Sequence, residues 1–448
     1  MTYTTRIAVI GAGISGLAAA HALRAVAAVT LFEASDYFGG HAHTATIELA
    51  RSATDPTRVA HGVDTGFLVY NDRTYPQLIR LFSELGVETA LSEMSFSVQA
   101  ARDDGGGPLE WSGNNLSTVF AQRRNLFDAR FLGMLGDLLR FNRLTTRIAE
   151  AGTEGELAQP LGEFLDAHRF GAAFRDWYFL PMMGCIWSCS TTQMLAFPVA
   201  TMIRFCHNHG LIQIANRPQW RTVRGGSRHY VEKIVAGLAD KRLNTPVRHV
   251  SRSGVDVLVT TDAGTEHFDH VVMATHSDLS LAMLGDASPA EAAVLGAIRY
   301  QANHAVLHTD AAVLPQRRSA WAAWNYERAA AGEREAGRVC LHYLLNKLQP
   351  LPWEQPVVVS LNPVHEIQRS QVMAEYDYDH PVLDLAAIRA QGEVPALQGQ
   401  RNTWFAGAWM GYGFHEDGLK AGLAAAQGLR ERLAGQDAPI DAMGSALV

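Results

Sequence analysis

The sequence predicts a two-lobed α/β fold, and three observations predict it. The chain opens on a β-branched apolar run, a glycine-rich turn, an alanine-rich run and a second apolar run. A long, mostly helical stretch interrupts this pattern, and strand-like runs return after it and again near the C-terminus. At 448 residues the chain also exceeds one core, because single cores stop growing near ~250 to 300 residues.

The elements follow in order. Residues 6–10 are apolar and β-branched, 14–24 are alanine-rich with helical spacing, and 29–32 form a short strand that ends at Glu33. This is a β-α-β unit. Residues 75–216 read as mostly helical, with amphipathic stretches at 129–151 and 160–169, and form an inserted lobe. Gly225-Gly226 opens a helical pattern within 223–239, and strands follow at 247–250, 255–261 and 267–274 around an Asp262-Ala263-Gly264 turn. Further strands are expected at 305–308, 339–345, 357–361 and 402–408, before a glycine-rich turn and a last helix at 418–433. The expected division is a discontinuous dinucleotide-type lobe (1–75, 220–290 and 395–435), a substrate lobe (76–219 and 291–394) and a disordered tail (436–448).

Composition excludes several classes. With 48% hydrophobic and 19% charged residues the chain is ordinary for a globular protein. Its net charge of -7 is spread out and its basic points are short, such as Arg123-Arg124, so nucleic acid is not an expected partner. Cys185, Cys189, Cys206 and Cys340 are too few and irregular for a disulfide framework and show no zinc-finger spacing, so no metal is expected and a cytoplasmic location fits. The first apolar run is broken by three glycines, unlike a signal peptide, and no window offers ~20 uncharged apolar residues. Peripheral contact with the inner membrane stays open.

Gly11-Ala12-Gly13-Ile14-Ser15-Gly16 lies between strand and helix. There glycines permit a tight turn and close backbone approach to a pyrophosphate, which faces the helix N-terminus. Glu33, about 20 residues on, is placed to accept hydrogen bonds from ribose hydroxyls. This fingerprint serves NAD and FAD alike. Gly39-Gly40, Val63-Asp64-Thr65-Gly66 and Gly225-Gly226 are further tight spots that a bare NAD unit does not need.

With these motifs, and with Thr403-Trp404-Phe405-Ala406-Gly407 followed by Gly411-Tyr412-Gly413-Phe414-His415-Glu416-Asp417-Gly418, residues 6–433 resemble the flavin-containing amine oxidoreductase superfamily. The resemblance implies a two-dinucleotide-binding-domain flavoprotein, a Rossmann-like FAD lobe with an inserted α+β substrate lobe. It implies non-covalent FAD held by Gly11, Gly13, Ile14, Ser15, Gly16, Glu33, Ala34, Gly39, Gly40, His41, Thr65, Gly66, Val247, Gly407, Phe414, His415, Glu416 and Asp417. Ile186-Trp187-Ser188, 207–211, 304–310, 321–326 and 411–418 look like a bacterial branch similar to the flavin domain fused to plant cyclopropane fatty acid synthases. That narrower resemblance implies acyl-chain or phospholipid substrates and a cyclopropane synthase-like or other lipid-modifying methyltransferase as partner. Two departures stand out: His41 where the superfamily often has Arg, and Ala408 where it often has Asp, a place that Glu416 or Asp417 is expected to fill. No Ser-Gly-Gly-Cys motif is present to tether flavin.

Site residues carry two readings each. Residues 181–198, with Ile186 and Trp187, and Trp324 farther on, line an apolar substrate tunnel or are plain core. His207 and His209 are metal-like if on a strand, and otherwise structural; His304 and His308 share one side of a strand. His415 is a catalytic imidazole or a loop hydrogen-bonding group, and Asp417 a helix-start acid. Cys185 and Cys189 are a redox pair or buried thiols. The expected function is FAD-dependent oxidation of an acyl chain; amine oxidation with peroxide release and a non-catalytic flavin-binding role are the alternatives.

Overall fold

In the computed structural model, which describes residues 5–101, 107–153, 157, 159–187, 191–213, 217–254, 256–328 and 339–436, the opening runs form the centre of a parallel sheet. Its five strands lie in the order Asp240–Arg242, Ala28–Phe32, Arg6–Ile10, His270–Met273 and Thr403–Phe405. Alternate side chains of Arg6–Ile10 leave on opposite faces. Ile7 and Val9 are buried with Leu17 and Leu429 of the helices Ile14–Leu23 and His415–Gln436; Ala8 and Ile10 are buried with Val271, Phe405 and Val394. Covered on both sides, the strand is apolar throughout, as parallel strands are. The two helices meet backbone to backbone: a Cβ on Gly422 would lie 2.1 Å from the Ser15 carbonyl oxygen.

The second layer system is a seven-stranded sheet in the order Val372–Val382, Arg299–His308, Val358–Leu361, Cys340–Leu344, Trp324–Arg328, Phe96–Ala100 and Leu109–Ser112. Leu307, Leu341 and Val359 face the helices Ala129–Ala151, Leu180–Trp187 and Val199–Asn208 and form the largest apolar core with Phe141, Phe179 and Phe205. Val306, Leu344 and Val358 face the other way, into a small separate cluster.

Several elements differ from the sequence reading. Strands Thr89–Leu91, Phe96–Ala100 and Leu109–Ser112 interrupt the supposedly helical stretch after its first helix, Pro76–Leu85. Phe96–Ala100 pairs with Trp324–Arg328, a partner over 200 positions away that no local pattern shows. The hairpin Thr44–Ala50 with Arg58–Asp64 and the long strand Val372–Val382 were also not expected; the latter is a half-exposed sheet edge with little apolar signal. The run 267–274 is two strands in two sheets, broken at Asp269, whose N–H donates to the Arg6 carbonyl. The last helix begins at His415, three residues early. Val255, Ser188, Cys189 and residues 437–448 lie outside the described residues. No helix among the described residues is long and apolar enough to cross a membrane.

Candidate functional site

The site begins at the glycine turn. Gly11 has φ +98°, and a Cβ there would sit 2.7 Å from the Ala274 carbonyl oxygen, so the turn needs glycine for both conformation and space. Gly16 is excluded from bearing a side chain by the Gly11 oxygen. Gly13 differs: nothing lies within 4 Å of its would-be Cβ, and no side chain caps the helix Ile14–Leu23 that follows. The first-turn N–H groups of Ile14 and Ser15 thus have no capping side chain, and nothing crowds the turn at Gly13.

The Glu33 carboxylate accepts from Ala12 N–H (2.9 Å) and Ser35 N–H (2.9 Å), which fixes it at the mouth of that turn. Ala34 beside it is exposed. Backbone bonds from Thr245 to the Glu33 carbonyl and from Asn244 to Ser35 bring the start of the strand Val247–Ser253 alongside, with Val247 buried. Gly39 N–H donates to the Ala12 carbonyl (2.9 Å), so Gly39-Gly40 is stitched onto the turn.

Past Gly40 the chain enters a buried ring cluster. His41 lies 5.0 Å from the Tyr378 ring and 5.4 Å from the His380 ring, with His276 at 6.5 Å. Burial and then the neighbouring His380, His276 and His415 hold its imidazole well below the usual range, and its Nε2 is buried with no partner. Thr65 Oγ1 bonds His43 Nδ1 (2.8 Å) and the Tyr378 hydroxyl (2.7 Å), and Gly66 has no room for a side chain against the His41 carbonyl. Asp64, buried and pushed up to about 6 despite its hydrogen bonds, accepts from Ser227 N–H and Oγ–H and from Thr44, tying Gly225-Gly226 to the cluster.

The C-terminal junction completes the arrangement. Gly407 is extended and leaves no room for a side chain against the Trp409 indole. His415 stacks on Phe67 (3.8 Å between centroids), shares a 2.6 Å hydrogen bond through Nε2 with the Tyr230 hydroxyl, and is lowered to about 3 by burial. It is a neutral, fixed ring at physiological pH. Glu416 accepts from Gln77 and Leu78 N–H (2.9 and 3.0 Å), capping the helix Pro76–Leu85, and Asp417 accepts from Tyr412 and Phe414 N–H (3.1 and 3.0 Å). Both carboxylates are thus engaged with backbone, Asp417 raised to about 6 by burial.

Among the remaining candidates, Trp187 donates to the Tyr412 carbonyl (3.3 Å) and packs on Phe197 and Phe205, while Phe414 stacks on Phe205 at 5.0 Å. Ile186 is partly buried in the helical core. Trp324 lies on a strand against Tyr343, its indole nitrogen buried without a partner. His207 and His209 end the helix Val199–Asn208 and so take the structural of their two readings; His209 bonds the Phe205 carbonyl and is lowered to about 4 by burial. His304 is half-exposed and hydrogen-bonded to the carboxylates of Glu375 and Asp377, whereas His308 is buried against Ser360, and the two share no partner among the described residues. Cys185 is buried, its thiol pushed up by burial. A cleft of about 400 Å³ opens between Arg73, His207, Tyr412, Phe414 and Lys420. His276, His380, Tyr378 and Tyr230 were not identified from the sequence, because positions up to about 340 residues apart meet only through the fold. Glu327, Cys340 and His342, which the sequence reading did not single out, bring one potential ligand atom each to within 4.8 Å of one another.

This donor set fits a dinucleotide: open backbone N–H groups suit a pyrophosphate, Glu33 suits ribose hydroxyls, and the unpartnered His41 nitrogen suits the polar edge of a flat ring. The family model for flavin containing amine oxidoreductase matches residues 14–317, more than half of the chain. A relative from Mycobacterium tuberculosis named "Putative flavin-containing monoamine oxidase AofH" is 26% identical over 290 residues, which span 61% of this chain and 57% of that relative. The chain thus matches little more than half the length of this curated relative. Two solved structures share the fold at 16% identity over 96% of this chain and 99% of theirs. They are a CLA-producing fatty acid isomerase from P. acnes (TM-score 0.63) and cyclohexylamine oxidase from Brevibacterium oxydans IH-35A (TM-score 0.64). With the glycine turn, the acid and the second junction all in place, the chain belongs to the flavin-containing amine oxidoreductase family, and its cofactor is FAD.

Proposed function

We propose that the chain is an FAD-dependent oxidoreductase that dehydrogenates, desaturates or isomerises a lipid acyl chain or a similarly apolar substrate. The observation that supports this most is the aromatic cluster beside the C-terminal junction, where Trp187, Phe197 and Phe205 pack ring on ring in the core behind Phe414, which lines the adjoining cleft and forms its apolar wall. His209, stacked on Phe205 at 4.0 Å and held neutral, adds no charge to it. Such a wall excludes water and positions an apolar chain through many small dispersion contacts. Arg73 and Lys420 at the adjoining cleft suit the carboxylate or phosphate end of an acyl lipid. FAD, held without a covalent bond, supplies the hydride acceptor. The chain's own residues bind and orient: Gly13, Ile14 and Ser15 at the phosphates, Glu33 at the ribose, His41 and the fixed His415 around the ring system. Desaturation takes a hydride from one carbon and a proton from its neighbour, and the proton passes to solvent at the adjoining cleft. The expected setting is cytoplasmic, with peripheral contact with the inner membrane.

A second reading has its own support, because aromatic faces also attract an ammonium through their quadrupoles and the matched relative carries a monoamine oxidase name. The fold itself does not choose, since it serves a fatty acid isomerase and an amine oxidase alike. A third, resting on resemblance alone, is a non-catalytic flavin-binding partner of a lipid-modifying methyltransferase. Anaerobic titration of the flavin-loaded protein with unsaturated acyl phospholipids and fatty acids, with product analysis for isomers, tests the proposal. Bleaching of the long-wavelength flavin band by lipid, or a new isomer, is expected. Bleaching only by amines, with peroxide on aeration, replaces it with the second reading. Silence toward both, with capture of the methyltransferase, leaves the third.

A further inference from the structure

We infer that Glu327, Cys340 and His342 form a binding site for a divalent metal ion of the zinc type, on the face of the seven-stranded sheet turned away from the helical core. Residues two apart on a strand share a face, so Cys340 and His342 of Cys340–Leu344 point together, while Leu341 between them faces the helices. Glu327 stands directly opposite Cys340 across the antiparallel pair. All three are buried.

Their ligand atoms make a tight triangle: Sγ to Nε2 is 3.4 Å, Nε2 to Glu327 Oε2 is 3.0 Å and Sγ to Oε2 is 3.8 Å. Tetrahedral zinc, with bonds of about 2.0 to 2.3 Å, separates its ligands by roughly 3.3 to 3.6 Å, so the observed edges straddle that value. Sulfur, imidazole nitrogen and carboxylate oxygen are zinc's own ligand types, and the thiolate disfavours calcium and magnesium.

Carboxylate and thiol converge on the same ring nitrogen, which distinguishes the group from a nucleophile–base–acid relay, where the acid takes the far nitrogen. The far nitrogen here, Nδ1, bonds Ser360 Oγ (2.6 Å), which also bonds His308 Nε2 (2.6 Å), and His308 Nδ1 accepts Asp310 N–H (3.1 Å). This ladder across three strands orients the ring as the outer partners of metal-bound histidines do. His365, mostly exposed, places Nε2 3.3 Å from the other carboxylate oxygen, Glu327 Oε1, and lies outside the three-ligand group, so the fourth position is left to solvent. Binding displaces the thiol proton and any proton on His342 Nε2 to solvent.

The test uses the full, flavin-loaded protein, stripped with a chelator, re-exposed to zinc and desalted. One zinc per chain is expected. Ser360→Ala should weaken binding by about 10- to 100-fold, and Cys340→Ser should abolish retention, both with flavin content unchanged. Cobalt(II) in place of zinc should give tetrahedral bands in the red, beyond oxidised flavin. That spectrum is read on the unmutated protein and decides the matter even where a variant fails to fold. No retained zinc, retention undiminished by Cys340→Ser, or octahedral cobalt spectra would each overturn the assignment in favour of a metal-free hydrogen-bonded ladder.

Discussion

Two glycines of one turn are expected to respond in opposite ways to the same methyl group. Gly11 sits at φ +98° against the Ala274 carbonyl, so Gly11→Ala should destabilise the fold by about 1 to 3 kcal/mol. Gly13 has an ordinary φ of -68° and open space around it. Gly13→Ala should leave urea unfolding of the apoprotein within about 0.5 kcal/mol and lower flavin affinity at least about tenfold, or ~1.4 kcal/mol. Flavin titration beside urea curves separates the two. Glu416 offers a third contrast: truncating it to Ala removes both acceptors of the Pro76–Leu85 cap and should cost about 0.5 to 2 kcal/mol, with Glu416→Gln, which keeps one acceptor, costing less. The glycine turn and Glu33 were legible in the sequence because their geometry is local. The capping role of Glu416 was not, because its partners at 77 and 78 lie over 330 positions away.

Among elements, the contact of Ile14–Leu23 with His415–Gln436 shows packing overriding propensity. Alanine is the better helix former by about 1 kcal/mol, yet a Cβ at Gly422 would press on the Ser15 carbonyl oxygen. Gly422→Ala is expected to lower stability by about 1 to 3 kcal/mol, seen as a lower thermal midpoint; an increase would show that the helices can part at little cost. Strands buried on both faces, such as Arg6–Ile10, announce themselves by continuous apolar runs. Phe96–Ala100 and Val372–Val382 do not, since each mixes polar and apolar residues and owes its pairing to a distant strand. The Cys340-Leu341-His342 alternation was a visible signal once the run was read as a strand, but Glu327 could join it only through register.

For the molecule as a whole, burial of imidazole sets the response to acid. His41, His209, His308, His380 and His415 are held well below 6.5, and His43, His61, His270 and His276 below it. The unfolded chain takes up their protons as pH falls below about 6.5 while the folded chain does not, so stability drops through that window, by up to ~1.4 kcal/mol per unit for each fully buried ring. Asp64 and Asp417, raised to about 6, and Glu416, also raised, act oppositely: the fold holds their protons first, and they gain as pH falls toward 4. Nine lowered rings against three raised carboxyls leave a net loss. The thermal midpoint should fall between pH 6.5 and 5, and a flat profile would show that water reaches the ring cluster.

The sheet that carries the glycine turn takes its strands from residues 6–10, 28–32, 240–242, 270–273 and 403–405. A ribosome adding about 5 to 20 residues per second needs roughly 20 to 80 s between the first strand and the last. Once made, His270–Met273 presents an unpaired edge for about 130 residues more, roughly 7 to 26 s, before Thr403–Phe405 docks, and throughout the whole interval Leu17 and Ala18 lack the terminal helix that covers them. Nascent chains of this protein therefore carry a sticky, half-built sheet for most of their synthesis. Its cellular yield should depend on holding chaperones, and on flavin supply at release, more than its final stability would suggest.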